Sequence, residues 1–225
     1  GKDEKYRGLL NYVLSSATRR DAGLAKELNK RLADKKSDNE NVSVETAEEM
    51  LEENPAAAAQ LAEAFAPNGL SDGSAEFLIF GLARKDLRLS DRVYGVYLDK
   101  VARDESIGVE SVVGLAGYAF GYSEYYSVGK SGMLSSASFL PIPGLSANRL
   151  FTTSFLNLAH RRLALAIERR DRSVGSELDP LNIQILFASE YLLPEVEKYS
   201  PATLPAWRQL QQRGAVGVTT YQSQQ

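Results

Sequence analysis

The sequence predicts an all-α fold of antiparallel helix pairs packed in succession. Apolar residues recur at three- and four-residue steps along most of the chain, the signature of one buried helix face. Helix starts are punctuated by Asn54-Pro55, Asp179-Pro180 and Ser200-Pro201, where a polar residue precedes a proline suited to the first helical position. Two weak correspondences return after 33 and 35 residues, a period at which helix-turn-helix units repeat.

The first expected helix runs from Asp3 to Arg19 on the stripe Tyr6, Leu9, Leu10, Val13, Leu14 and Ala17. Asp21 caps a second, with Leu24, Leu28 and Leu32 inward and Lys26, Glu27, Lys30 and Arg31 outward. Asp34 to Asn41 is polar throughout and is read as a mobile connection. Ser43 to Glu53 forms a short acidic helix, and Asn54-Pro55 opens the next, striped by Ala58, Leu61, Ala62 and Phe65 and ended by Pro67-Asn68-Gly69. Ala75 to Ala83 is apolar nearly all round, Phe77 included, and is placed between layers; Lys85-Asp86 closes it. Ser90 is read as the cap of its partner helix, striped by Tyr94, Tyr97, Leu98 and Val101. A third unit starts at Val109 with Val112, Val113, Leu115, Ala116 and Phe120.

Leu61 and Phe65 correspond to Tyr94 and Leu98, and Phe77 and Gly81 to Val112 and Ala116. Phe77, Phe80 and Gly81 have the large, apolar and small spacing of a first repeat helix, with Ala62 or Gly95 as small residues of second helices. On these residues the segment from Ser43 to Phe120 resembles, in degenerate form, the tetratricopeptide-like helical-repeat family, and the chain looks similar to uncharacterised bacterial helical-repeat proteins. The resemblance implies a TPR-like α-α superhelix, a right-handed α-solenoid, with a concave face for a peptide or protein.

Gly121 to Gly144 is rich in Gly, Ser, Tyr and Pro and follows neither period, so 121–145 is expected to be a long loop, where sites concentrate. Ser146 is read as the cap of a long helix to Arg170 that buries Phe155, Leu156, Leu158, Ala159, Leu163, Ala166 and Ile167. Its wet side carries Arg149, Arg161, Arg162, Arg169, Arg170 and Arg172. Leu181 to Leu193 forms another apolar helix, kinked or restarted by Pro194, and a last helix carries Trp207 and Leu210. The whole is read as one domain over 1–225: weak repeats at about 43–120, the loop, C-terminal helices over 146–213, and a tail at 214–225 disordered or packed as an arm.

Charge and composition exclude several functions. A net charge of -3 gives no basic field for nucleic acid. With no cysteine and the single His160, thiolate sites and a histidine cage cannot form in one chain, and no metal or cofactor is expected. No apolar stretch reaches the ~18–20 residues of a membrane span. Gly1 reads as the scar of a removed tag, and the absence of cysteine tips the expectation towards an exported or periplasmic protein with its signal removed, with the cytoplasm as the alternative.

Catalytic look-alikes fail on context. Gly129-Lys130-Ser131 imitates the end of a phosphate loop, but Glu124 stands where the first glycine belongs and no strand is expected before it. Tyr126 with Lys130 and Ser127 with Lys130 imitate dehydrogenase and acyl-transferase pairs without those families' other motifs. His160 has no nucleophile motif beside it, and its arginine neighbours are expected to keep it neutral.

Two binding surfaces remain. Tyr118, Phe120, Tyr122, Tyr125, Tyr126 and Phe139 either form a recognition surface or pin the loop to the core. Arg161 and Arg162 head a patch for carboxylate or phosphate, or form a solvated helix face. The expected function is therefore a non-enzymatic scaffold binding a peptide or protein. The alternative is a small-molecule or carbohydrate pocket, or a weak hydrolase, beneath the tyrosine loop beside Glu124.

Overall fold

A computed structural model describes residues 47–48, 50–64, 74–105, 107–128, 133–172 and 180–215. The expected helices over 3–19 and 21–32, the connection 34–41, Phe65, the stop Pro67-Asn68-Gly69, the Gly129-Lys130-Ser131 motif and the tail from 216 lie outside the described residues. The fold is mostly helical, as the periodicity predicts, with seven helices among the described residues. The chain falls into two compact units. The first runs to Lys100 and takes in Pro141–Leu145; the second comprises Val101–Leu140 and continues from Ser146.

In the first unit α1 spans Pro55–Ala64 and α2 Ser74–Lys85; α3 (Leu87–Arg103) starts there, and its residues from Val101 belong to the second. Asn54 caps α1 as expected: its Oδ1 accepts the Ala57 N–H at 3.1 Å, with Pro55 at the first helical position. Ala58, Leu61 and Ala62 are buried. Helix α2 buries Leu78, Ile79, Phe80 and Leu82, but Phe77 is 44% exposed, so its apolar girdle is not wholly enclosed.

The cap assigned to Ser90 is corrected. Asp86 opens α3, its carboxylate accepting the Arg88 N–H at 2.8 Å, and that bond holds the Asp86 pKa below the ordinary carboxylate range. Ser90 is fully buried inside the helix and donates its hydroxyl to the Ile79 carbonyl at 2.7 Å, tying α3 to α2. A hydroxyl that can reach a neighbouring helix need not cap its own.

In the second unit α4 spans Val109–Phe120, α5 Arg149–Arg172, α6 Pro180–Tyr199 and α7 Leu204–Ala215, the last entered through a 3-10 turn at Pro201–Thr203. The whole stretch from Ser111 to Phe120 is buried. Helix α5 starts two residues later than Ser146 predicts, because Asn148 is the cap: its Oδ1 accepts from the Leu150 N–H at 3.0 Å and its carbonyl from the Thr152 N–H at 2.8 Å. The seven apolar residues expected inside α5 are buried, and so is Arg162, which the sequence places on the wet face. Helix α6 runs unbroken through Pro194.

The expected long loop contains regular structure. Strands β1 (Glu124–Val128) and β2 (Leu134–Ser138) pair antiparallel, Tyr126 opposite Ser136, and β1 lies against α4. No helix among the described residues is long and apolar enough to cross a membrane.

Candidate functional site

Helix α4 delivers the chain into the hairpin through a glycine turn. Gly121 sits at φ 72°, its N–H bonded to the Tyr118 carbonyl at 3.1 Å and the Tyr122 N–H to the Gly117 carbonyl at 2.9 Å, the paired bonds of a left-handed helix end. This turn aims Tyr122 at α6, where its hydroxyl donates to Glu195 Oε1 at 2.7 Å. Burial, then the bond to Glu195, pushes the phenol above its ordinary pKa.

Around that bond the aromatics form one cluster. The Phe120 ring stacks on Tyr199 at 5.6 Å, meets Phe155 edge-on at 5.5 Å and tilts against Tyr122 at 6.1 Å. Tyr126 of β1 lies 5.1 Å from Tyr191 and 6.4 Å from Phe187, and those two stack on each other at 5.7 Å. Two buried oxygens in the cluster, Tyr191 Oη and Glu195 Oε2, have no hydrogen-bond partner.

Of the tyrosines singled out in the sequence, Tyr122 and Tyr126 join this cluster half-buried, and Tyr118 is buried within α4. Tyr125 pairs with Ala137 in the ladder, and its side chain lies outside the described residues. The sequence reading missed the other half: Phe187, Tyr191, Glu195 and Tyr199, spaced by four along α6, present one face to these rings. That spacing was the available signal, hidden among the other apolar residues of α6, Ile185, Leu186, Leu192 and Leu193 included.

The arginine row is placed differently from expectation. Arg162, 4% exposed, donates to the Val101 and Asp104 carbonyls, the latter at 2.6 Å. Arg161 reaches the Ala102 carbonyl at 2.8 Å and Arg169 the Glu105 carbonyl at 2.9 Å. Three guanidinium groups thus satisfy carbonyls left open where α3 ends, at the negative end of its dipole. Arg170 does the same for α7, donating to Arg213 and Gly214 carbonyls at 2.8 and 3.0 Å. Arg149 and Arg172 remain exposed.

His160 packs edge-on against Trp207 with ring centres 5.4 Å apart, and its Nε2 is buried without a hydrogen-bond partner. Burial holds its pKa below the ordinary 6.5; no charge repulsion from the neighbouring arginines is needed. The folded state therefore binds this proton less readily than the unfolded chain. The neutral ring's contribution is complete above pH 6.5 and is lost as pH falls through the lower folded-state pKa. The melting temperature is expected to drop between pH 7 and pH 5, and His160→Gln should make that drop smaller. An equal drop in both proteins, measured by differential scanning calorimetry, would contradict this assignment.

A cavity of about 130 Å³ opens between the start of α4 and α5, lined by Gly108, Val109, Arg162, Leu165 and Arg169 among others. Compared with known proteins, the chain matches no protein-family model, and no curated protein or solved structure matches it.

Proposed function

We propose that the chain is a non-enzymatic scaffold of TPR-like helix pairs, stacked as an α-solenoid, that binds a peptide or protein partner. The 33- and 35-residue correspondences support the repeat reading, as does Gly81, where an added Cβ would stand 2.5 Å from Leu51 Cδ1, so the glycine lets that side chain close in.

The observation that carries the binding reading is the outer edge of β2. Among the described residues the sheet has two strands, and β2 is exposed along nearly its whole length. Leu134, its first residue, is 53% exposed, and Met133 and Leu140 beside it are 69% and 76% exposed. The Phe139 N–H bonds to the Ser123 carbonyl at 2.6 Å, which makes 123 and 139 a hydrogen-bonded pair. By alternation, Ser135 and Ala137 bond inward to β1, and Leu134, Ser136 and Ser138 turn their N–H and C=O groups outward. An open edge without lysine or proline, flanked by exposed apolar side chains, is the surface on which an extended peptide adds as a further strand.

The test uses peptides selected from a displayed random library on the whole chain. Ser136→Pro removes one outward donor and spares the β1 ladder, so binding should weaken at least about tenfold, the equivalent of one lost hydrogen bond with its neighbours. Selected peptides that bind this variant as tightly as the parent would refute the edge as the site.

A second reading, a small-molecule or carbohydrate pocket beneath the hairpin, is favoured by the two unpartnered oxygens of Tyr191 and Glu195, which a ligand hydroxyl would satisfy. Saccharide titrations that leave the Tyr122 and Tyr126 ring resonances unmoved would remove it.

A further inference from the structure

The cavity beside Arg162 has features that the scaffold reading does not use. Its walls are mainly apolar, with Ile107, Val109, Leu165, Ala166 and Leu181. Two guanidinium groups, Arg162 and Arg169, line the same space. Helix α4 begins there: its N-cap is Gly108, which has no side chain to bond the open N–H groups of the first turn. Gly108 and Val109, at the positive end of that helix dipole, line the cavity. Arg162 adds an independent sign of a missing acceptor. It is more than nine-tenths buried, and its Nε has no hydrogen-bond partner although Nη2 of the same guanidinium serves two carbonyls.

Two guanidinium groups and a helix start lining a short, mainly apolar space select an anion with a hydrocarbon part. A volume of about 130 Å³ is close to that of engineered cavities that hold benzene, at ~150 Å³. Phosphate or sulfate would leave the Leu165, Ala166 and Leu181 walls unused, whereas a short branched carboxylate fills both halves. Glu105 brings one opposing carboxylate to the rim, exposed to solvent and therefore screened.

The geometry points to a binding site for a small aliphatic carboxylate, its oxygens on Arg162, Arg169 and the first turn of α4, and its hydrocarbon against Leu165, Ala166 and Leu181. The site stands independently of the β2 edge. The same chemistry is offered by a free organic acid and by the C-terminal residue of another chain, and the two are distinguishable by experiment.

Isobutyrate is titrated into the whole chain at low salt and followed by backbone and methyl resonances. Saturable shifts at Val109 and Leu165 are expected, and isobutyramide should produce none. Arg169→Gln, at an exposed position, should weaken binding about tenfold through loss of one charge-assisted contact. Ala166→Leu should abolish it by filling the space, and Glu105→Gln should tighten it. An acetylated Gly-Val dipeptide with a free carboxylate that outcompetes isobutyrate identifies a chain terminus as the source; a dipeptide that fails to compete identifies the free acid. The inference is overturned if isobutyramide binds as well as isobutyrate, or if isobutyrate shifts the same resonances to the same extent in Ala166→Leu and the parent. Melting curves of the variants close to the parent's establish that losses of binding are not losses of fold.

Discussion

Gly121→Ala is expected to destabilise the protein by about 2–4 kcal/mol, combining a left-handed backbone with a steric clash. The backbone at φ 72° already disfavours any side chain. A Cβ there would also stand 2.4 to 2.6 Å from the carbonyl carbon and Cα of Ser146 and the nitrogen of Ala147. Those are main-chain atoms just ahead of the Asn148 cap, and they cannot step aside as a side-chain tip can. The turn that presents Tyr122 to Glu195 would have to open, so the loss spreads from one residue into the aromatic cluster. Gly144 is the control: its φ is 81°, but an added Cβ meets only the Leu87 Cδ1 tip at 3.1 Å, so Gly144→Ala should cost about 1 kcal/mol. Urea midpoints of the two variants, compared with the parent, measure the contrast, and equal losses would show that the backbone clash at Gly121 is relieved.

Arg162→Met should cost about 2–3 kcal/mol, although it replaces a buried charge by an apolar chain of similar length. Two opposing effects decide the size. Removing the cation relieves the desolvation that, with the repulsion of Arg161, lowers the Arg162 pKa from its ordinary value. Against this, the Val101 and Asp104 carbonyls lose their shared donor at a place where water is largely excluded. The second effect wins because two acceptors are orphaned for one charge removed. Arg162→Lys should recover little, since an ammonium on a flexible stem cannot reproduce the planar fork. Denaturant titration that found the methionine variant as stable as the parent would mean that the carbonyls find other donors.

What the sequence made legible followed from local chemistry. Asn54-Pro55 was readable because cap and proline act on the next few backbone groups, and the stripes at Tyr94, Tyr97, Leu98 and Val101 were readable because helical period alone fixes which face is buried. Ser90 and Ser146 were misread for a related reason: Asp86 and Asn148 stand close by, and which polar residue caps depends on where tertiary contacts stop the helix. The hairpin escaped notice because β2 reads Leu-Ser-Ser-Ala-Ser, with no alternation between apolar and polar residues to mark a strand. Of the candidate sites, the tyrosines were visible as composition, but their partners on α6 lie about 70 residues away in sequence, as the Tyr122 to Glu195 separation of 73 shows. The burial of Arg162 was invisible because its partners are main-chain carbonyls, which every sequence possesses.

The contact between His160 and Trp207 gives the molecule a built-in reporter. Trp207 is the chain's one indole, and it belongs to the second compact unit. Its emission therefore registers the loosening of that unit alone, whereas far-ultraviolet ellipticity sums over both. Two optical curves that part company on heating would reveal that the halves of this protein let go separately.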